Sequence, residues 1–568
     1  MNNKTACPLD CYDACEIVYD GGKLKGYSKG HTAGFLCPHL NHYTNYQTIK
    51  TPRYKNQEIT IDEAMNKLSE IISHSYNDEI LHYRGHGNFS LMQEVTDHFF
   101  ASYGATLTDG SLCDGAGEAG ILEGRGSNKN MPLPEIEKSD VVIFWGRNPH
   151  TTSSHLLPII KDKKIIVIDP IETQIVKDAY LHLQVKPHTD MYLAMLLSRF
   201  LHIVYPTDKE YYELTQTLMV DQTLEKIGIS KNEIGEMVEL IINQRVAIVC
   251  GVGIQKYSDG ADVMRTIDAL ALQMNLFGRE GCGVAYLGNS REHIDSPFYT
   301  DTKRESKVNS DFSKYKTVFI QGANPLSQMP DSTRVQESIS NVENIVYFGL
   351  YENETSECAD LVIPAKTFLH KNDIRTSYSH NIMSHMPKLE GNENGITEYE
   401  LSSYLCNEFG IDIKEEETYL KHFKNFSVTM MDGELHVEGR EELPYQNGFD
   451  TKDGKFVFLK EVNQKPNEKE GLHLITPKSA KSLNSQFNRE THVYVHSSLG
   501  FRDGEKVIVS SVNGNVELHV KNNDKLRDDC VLIYSGTRGV NNLTSPKHSL
   551  EGKSAVYQED RVEVIKCT

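Results

Sequence analysis

The chain reads as a multidomain α/β protein: two related doubly wound α/β domains, a small thiol-rich module at the N-terminus and a β-barrel at the C-terminus. Three observations predict this. A strand that ends in Gly-x-Asn-Pro occurs twice, at residues 141–149 and 316–325, and each copy is followed by a second apolar strand, the sign of a repeated α/β half. Cys7, Cys11, Cys15 and Cys37 crowd the N-terminus. From Leu472 onward, short β-rich runs are separated by Asp503-Gly504 and Asn513-Gly514, dipeptides that read as hairpin turns of a small barrel.

The first cysteines are spaced C-x3-C-x3-C-x21-C. Thiolates this dense suit soft metals, so an iron–sulfur cluster and structural zinc are the options. Zinc sites usually arrive as paired C-x2-4-C knuckles, whereas a compact triplet with one distant partner points to a four-iron (4Fe-4S) cluster. A disulfide framework is the weakest reading, because nothing else in the chain looks secreted. The cluster module is expected to occupy residues 1–52, closing at Thr51-Pro52.

A chain of 568 residues exceeds one ordinary core and implies roughly three or four units. Its net charge of −20 argues against a nucleic-acid surface, which needs clustered Lys and Arg. No stretch reaches the length of a membrane span, and the start lacks an apolar export region and a twin-arginine pair. A cytoplasmic protein without membrane insertion is expected.

After a polar connection following Cys37, Thr60 or Asp62 caps a helix with apolar residues at helical spacing. Glu79–Gly87 reads as a strand ending in glycines. The stretch from Gly104 to Gly120 holds five glycines and Cys113, which predicts a loop that approaches something closely. Cys113 is either a nucleophile or metal ligand presented by that loop, or a buried thiol. Val141–Trp145 is an uninterrupted apolar run, the pattern of a fully buried parallel strand. Gly146 and Asn148 follow it, and a second strand ends at Asp169. A glycine turn with a distal acid resembles dinucleotide sites, although a full G-x-G-x-x-G is missing.

The second copy carries Gly322 and Asn324 in the same places, and both copies continue into a third apolar segment, near Leu181 and near Leu361. Two halves could hold two similar nucleotides. Val246–Cys250 adds another buried strand, with Cys250 in the core. Residues 415–445 are charged and look like an irregular linker or surface region.

Taken in order along the chain, these motifs resemble the dimethyl sulfoxide reductase superfamily, the bis-molybdopterin guanine dinucleotide oxidoreductases, over essentially the whole length. The resemblance implies a cofactor enclosed between domains: residues 53–460 as interleaved molybdopterin-binding α/β domains, and 461–568 as a dinucleotide-binding barrel. It implies that Cys7, Cys11, Cys15 and Cys37 hold the cluster, and that Cys113 is the catalytic ligand to molybdenum or tungsten. Gly146, Asn148, Asp169, Thr189 and Asp190 would bind one guanine dinucleotide. Gly322 and Asn324, with Thr476 and Asn542 of the barrel, would contribute to the other.

The implied activity is two-electron chemistry on a small-molecule substrate, with electrons relayed through the cluster to a protein partner. A non-redox hydratase-type member, or an electron-transfer subunit with a vestigial pterin domain, are the alternatives. Three departures bear on this. Asp114 stands where formate-oxidising members place histidine, so formate is not the expected substrate. His39 replaces a lysine that commonly relays electrons, and His188 replaces a glycine.

Overall fold

The computed structural model describes residues 3–86, 90–391, 394–430, 433–462 and 470–567. Its contacts divide it into two compact units that interleave along the chain. The first comprises Met1–Asp109, Ser290–Arg440 and Ser485–Asn488, and the second Gly110–Asn289, Glu441–Asn484 and Arg489–Thr568.

The second unit is built on a five-stranded parallel sheet in the order Leu181–Leu183, Lys164–Ile168, Val141–Trp145, Val246–Cys250, Gly283–Ala285. Every residue of Val141–Trp145 and Val246–Cys250 is buried, because helices cover both faces of such a sheet and no position can be left polar. The chain steps outward from Val141 to Leu181, then returns to the other side of Val141 to lay down Val246–Cys250. The strand order therefore reverses between those two strands, and the crevice at their carboxyl ends is where open α/β sheets take ligands.

The first unit repeats this plan in an eight-stranded sheet: Arg304–Ser306, Thr106–Asp109, Ile80–Arg84, Thr317–Gln321, Asn344–Gly349, Leu361–Pro364, then two short antiparallel edge strands, Arg53–Tyr54 and Gln57–Glu58. Here the reversal falls between Ile80–Arg84 and Thr317–Gln321. The strand beside the Gly-x-Asn-Pro strand precedes it in sequence in this unit and follows it in the other, which hid the fourth strand of the repeat from a linear reading. Ile80–Arg84 is the expected strand; Gly87, at the end of that expectation, lies outside the described residues.

Both reversal points are made by facing glycines. Gly251 N–H donates to Trp145 O and Gly85 N–H to Gln321 O, each at 2.8 Å. A Cβ on Gly251 would overlap the Gly146 carbonyl oxygen, and one on Gly85 the Gly322 carbonyl oxygen. Gly146 and Gly322 themselves have φ of 63° and 53°, a region where an L side chain is strained.

Three expectations change. The stretch Gly104–Gly120 is not one loop: it forms strand Thr106–Asp109, a short loop at 110–114 and helix Gly115–Arg125. The helical glycines serve close packing. A Cβ on Gly120 would overlap Ala261 O of helix Gly260–Gln273, and one on Gly117 would lie 2.8 Å from the Tyr286 hydroxyl. Residues 415–445 are not an irregular linker either. Helix Glu416–Lys424 and the strand pair Ser427–Thr429 and Leu435–Val437 occupy them, and Met431 and Asp432 lie outside the described residues. Tyr419, Leu420 and Phe423 fall on one helical face and enter a core with Phe298 and Ile374, so the charges are only the outward face.

The C-terminal barrel is present and closed, with six strands in the order Leu472–Ile475, Cys530–Leu532, His492–Val495, Asn515–Asn522, Lys506–Ser510, Arg561–Lys566. Asn513-Gly514 joins an antiparallel pair, as a hairpin signal should. Asp503-Gly504 does not. The strands on either side of it both pair with Asn515–Asn522 instead of with each other, and Asp503 accepts the Asn522 N–H at 2.6 Å to hold the crossing. Among the described residues no helix is long and apolar enough to cross a membrane.

Candidate cofactor site

In the first unit, strands Lys4–Ala6 and Glu16–Asp20 pair with Ala6 opposite Glu16. Cys7 and Cys15 thus leave the ladder side by side, with Cys7 N–H on Cys15 O at 2.8 Å, and Cys11 sits in the intervening loop. Cys37 precedes the short helix Pro38–Asn41. Cys7 and Cys15 are buried. Burial pushes the Cys7 thiol up to about 12 and Cys11 and Cys15 well above the ordinary thiol range; Cys37 is also raised by burial, partly offset by backbone N–H groups of its helix. Each of the first three thiols is raised further by its fellow cysteines, so the four share one neighbourhood. Among the described residues, no three Cys, His, Asp or Glu side chains gather as closely as a single metal ion requires.

The loop's carbonyls are held from behind. Buried Arg375 donates to Leu9 O at 2.6 Å, Ser377 to Tyr12 O at 3.1 Å, and the His380 ring meets Asp13 O at 3.0 Å. His39, two residues after Cys37, stacks on Phe487 at 5.9 Å, and Phe487 also stacks on Tyr46 at 4.0 Å.

At the glycine crevice of the same unit, Gly322 forms the turn and Asn324 is buried. The Asn324 amide nitrogen donates to Glu354 at 2.8 Å and Ser485 at 3.1 Å, and its oxygen accepts from Thr355 at 2.8 Å. Its side chain therefore braces the turn.

In the second unit, Cys113 is exposed on the loop at 110–114, one residue before Asp114, the N-cap of helix Gly115–Arg125. The Ser111 hydroxyl accepts the N–H groups of Cys113 and Asp114 at 2.9 and 3.1 Å. Gln255 donates to Cys113 O at 2.8 Å and accepts from Gly117 N–H at 3.0 Å. Lys256 donates to Leu112 O at 2.7 Å. The backbone on both sides of Cys113 is thereby fixed, and Gln255 and Lys256 come from just beyond strand Val246–Cys250, at the carboxyl end of the sheet. Burial lowers the Lys256 ammonium to about 8, opposed first by Cys113. Glu118, one turn into the helix, is raised by burial and by the Asp114 charge.

Near Gly146, buried Asp169 and Asp190 are brought together. Burial lifts Asp169 to about 7 and Asp190 to about 6, and the Asp190 charge adds to the first shift. Asp190 accepts from the Trp145 indole at 2.7 Å and Asp169 from Ile171 N–H at 2.9 Å. Such a pair is stabilised by incoming hydrogen-bond donors. Thr189 spends its hydroxyl on Lys186 O at 2.6 Å, and Asn148 closes a local turn with His150 N–H and Thr151. His188 has φ of 65°; its ring meets Asp259 at 2.6 Å and stacks on Tyr257 at 4.1 Å. Thr476 follows barrel strand Leu472–Ile475, and Asn542 donates to Asn515 O at 3.2 Å.

Sequence reading missed Ser111, Gln255 and Lys256. The signal was Gly251-Val-Gly253, which marks a turn at a strand's end but not what the next two side chains reach.

Each unit carries a largely parallel sheet with an equivalent glycine crevice, and a thiol is fixed at the carboxyl end of one of them, the arrangement of a cofactor-binding α/β protein. The molybdopterin oxidoreductase family model matches residues 47–408, and the chain belongs to that family; it is a molybdopterin-dependent enzyme, and molybdopterin brings molybdenum or tungsten. It is 26% identical over 549 residues to the Bacillus subtilis (strain 168) protein named "Probable oxidoreductase YyaE", covering 85% of this chain and 82% of that one. It is 21% identical over 561 residues to formate dehydrogenase H of Escherichia coli (strain K12), covering 82% and 76%. Acetylene hydratase from Pelobacter acetylenicus has the same fold, with a TM-score of 0.78 over 100% of both chains at 14% identity.

Proposed function

We propose that the protein is a molybdenum- or tungsten-dependent oxidoreductase acting by two-electron chemistry on a small substrate, with an electron-transfer protein as partner. The metal is held by two molybdopterin guanine dinucleotides and by Cys113, and supplies the redox chemistry when bound. The observation that carries this reading is the Cys113 loop, whose backbone is fixed on both sides while the thiol stays exposed. Ser111, Gln255 and Lys256 then keep the sulfur at one position. The Asp169–Asp190 pair accepts the donors that a guanine or ribose presents, and the facing glycines leave the backbone approachable by pyrophosphate oxygens. Acid release is expected to yield two GMP per metal; full metal with one nucleotide or none contradicts the assignment of Gly322 and Gly146 to two equivalent crevices.

Cys7, Cys11, Cys15 and Cys37 carry a four-iron cluster as electron relay, in a module spanning 1–52; residues 53–460 bind the pterins and 461–568 close over a nucleotide. Four thiols that influence one another electrostatically suit a cluster in which each sulfur bonds its own iron. Positive metal charge is also what their burial-raised proton affinity calls for. Anaerobically purified protein should contain four irons per chain with equal sulfide, whereas one zinc and no sulfide overturns this. None of the eleven cysteines forms a disulfide, which supports a cytoplasmic setting.

A hydratase-type reaction is the second reading, favoured by Asp114 and the raised Glu118 carboxyl beside the Cys113 loop, groups suited to moving a proton. Adding a candidate substrate without an electron acceptor separates the two: hydration proceeds, while oxidation stops after one turnover.

A further inference from the structure

Lys256 is 8% exposed, yet among the described residues it has no carboxylate partner. Its Nζ donates to Leu112 O and lies 4.9 Å from the centre of the Tyr557 ring. The anionic groups within electrostatic reach are Cys113 and Asp114, and Lys478 adds a second positive charge nearby. Asp114 already accepts from the Ser111 hydroxyl at 3.1 Å, and Lys478 bonds Asn484. A buried ammonium without a direct ion pair is costly, and the protein holds this one against the carbonyl of Leu112, the residue before the sulfur proposed to bind metal.

We propose that Lys256 is a positioning residue of the metal centre: it pins the Cys113 loop through Leu112 O, and its buried positive charge raises the reduction potential of the metal bound there. The inference rests on Cys113 being the ligand. Each electron added to the centre makes it more negative, and a fixed cation in a low-dielectric surrounding favours the more negative state. Gln255 holds the same loop without a charge, so the two side chains separate geometry from electrostatics.

The test is a redox titration of the holoenzyme with dithionite, following the metal and iron–sulfur signals by electron paramagnetic resonance. The wild type, Lys256→Met and Lys256→Arg are compared. Lys256→Met is expected to lower the metal potential while the cluster potential stays in place, and Lys256→Arg to restore it. A purely structural role would not produce rescue of a potential by a second cation. Loss of metal from Lys256→Met but not from Lys256→Arg also supports the proposal, since charge and donor are what the arginine keeps. An unmoved potential in Lys256→Met at full metal content overturns it, as does loss of metal from both variants. Failure of the underlying reading is distinct: X-ray absorption of the wild type would then show no protein sulfur on the metal.

Discussion

Replacing Cys113 by Ala is expected to abolish turnover while leaving the iron and pterin content unchanged. The thiol sits on a short loop whose fixed points are backbone atoms: Ser111 takes the Cys113 N–H and Gln255 the Cys113 carbonyl. None of these contacts uses the sulfur, so Cys113→Ala keeps the loop where it is. Helix Gly115–Arg125 packs through its glycines and is equally untouched. The loss should therefore be confined to the sulfur proposed as the metal's protein ligand. Metal-edge X-ray absorption should show one sulfur neighbour fewer. Surviving activity with an unchanged sulfur count would make Cys113 an exposed thiol with no part in the centre.

Gly251→Ala and Gly85→Ala should each empty one nucleotide crevice. The added methyl group overlaps a carbonyl oxygen of the facing glycine in both cases, and a backbone oxygen cannot rotate away as a side chain can. The overpacking costs about 1–3 kcal/mol, read as a fall in melting temperature of roughly 2–4 °C per kcal/mol. Strand separation at the reversal point also displaces the turn that carries Gly146 or Gly322. GMP per chain should fall by about half in each single variant, because the crevices lie in different units. Gly235→Ala is the control: nothing lies within 4 Å of its Cβ position, and in a helix interior alanine is favoured over glycine by roughly 0.5–1 kcal/mol. Equal nucleotide content in all three variants contradicts the crevice assignment.

The parallel strands were legible because full burial removes polar positions and leaves uninterrupted apolar runs, as in Val141–Trp145 and Val246–Cys250. The spacing of Cys7, Cys11, Cys15 and Cys37 predicted that these thiols lie together, and they do fall within electrostatic reach of one another. What the sequence hid were contacts that depend on distant residues. Glycines at 115, 117 and 120 looked like a loop because the reasons for them, the Gly552 carbonyl, Tyr286 and the helix that carries Ala261, lie well over a hundred residues away. Residues 415–445 looked like an irregular linker or surface region because charged residues are spread through them, yet in helix Glu416–Lys424 the apolar Tyr419, Leu420 and Phe423 turn inward. Lys256 gave no local sign at all; its meaning is the carbonyl of Leu112.

The interleaving of the two units has a consequence for the order in which the protein is made. The sheet of the second unit needs only residues 141–285 and can close while the ribosome is still at work. The first unit cannot: its central pair joins Ile80 to Thr317, and at roughly 5–20 residues per second the earlier strand waits on the order of ten seconds or more for its partner. The cysteine loop waits longer, since Arg375, Ser377 and His380, which hold its carbonyls, emerge later still. Until then four oxidisable thiols stand on an unfinished chain. Delivery of the proposed cluster would then follow translation of the segment that carries Arg375, Ser377 and His380, and a nascent chain stalled before residue 375 should bind no iron.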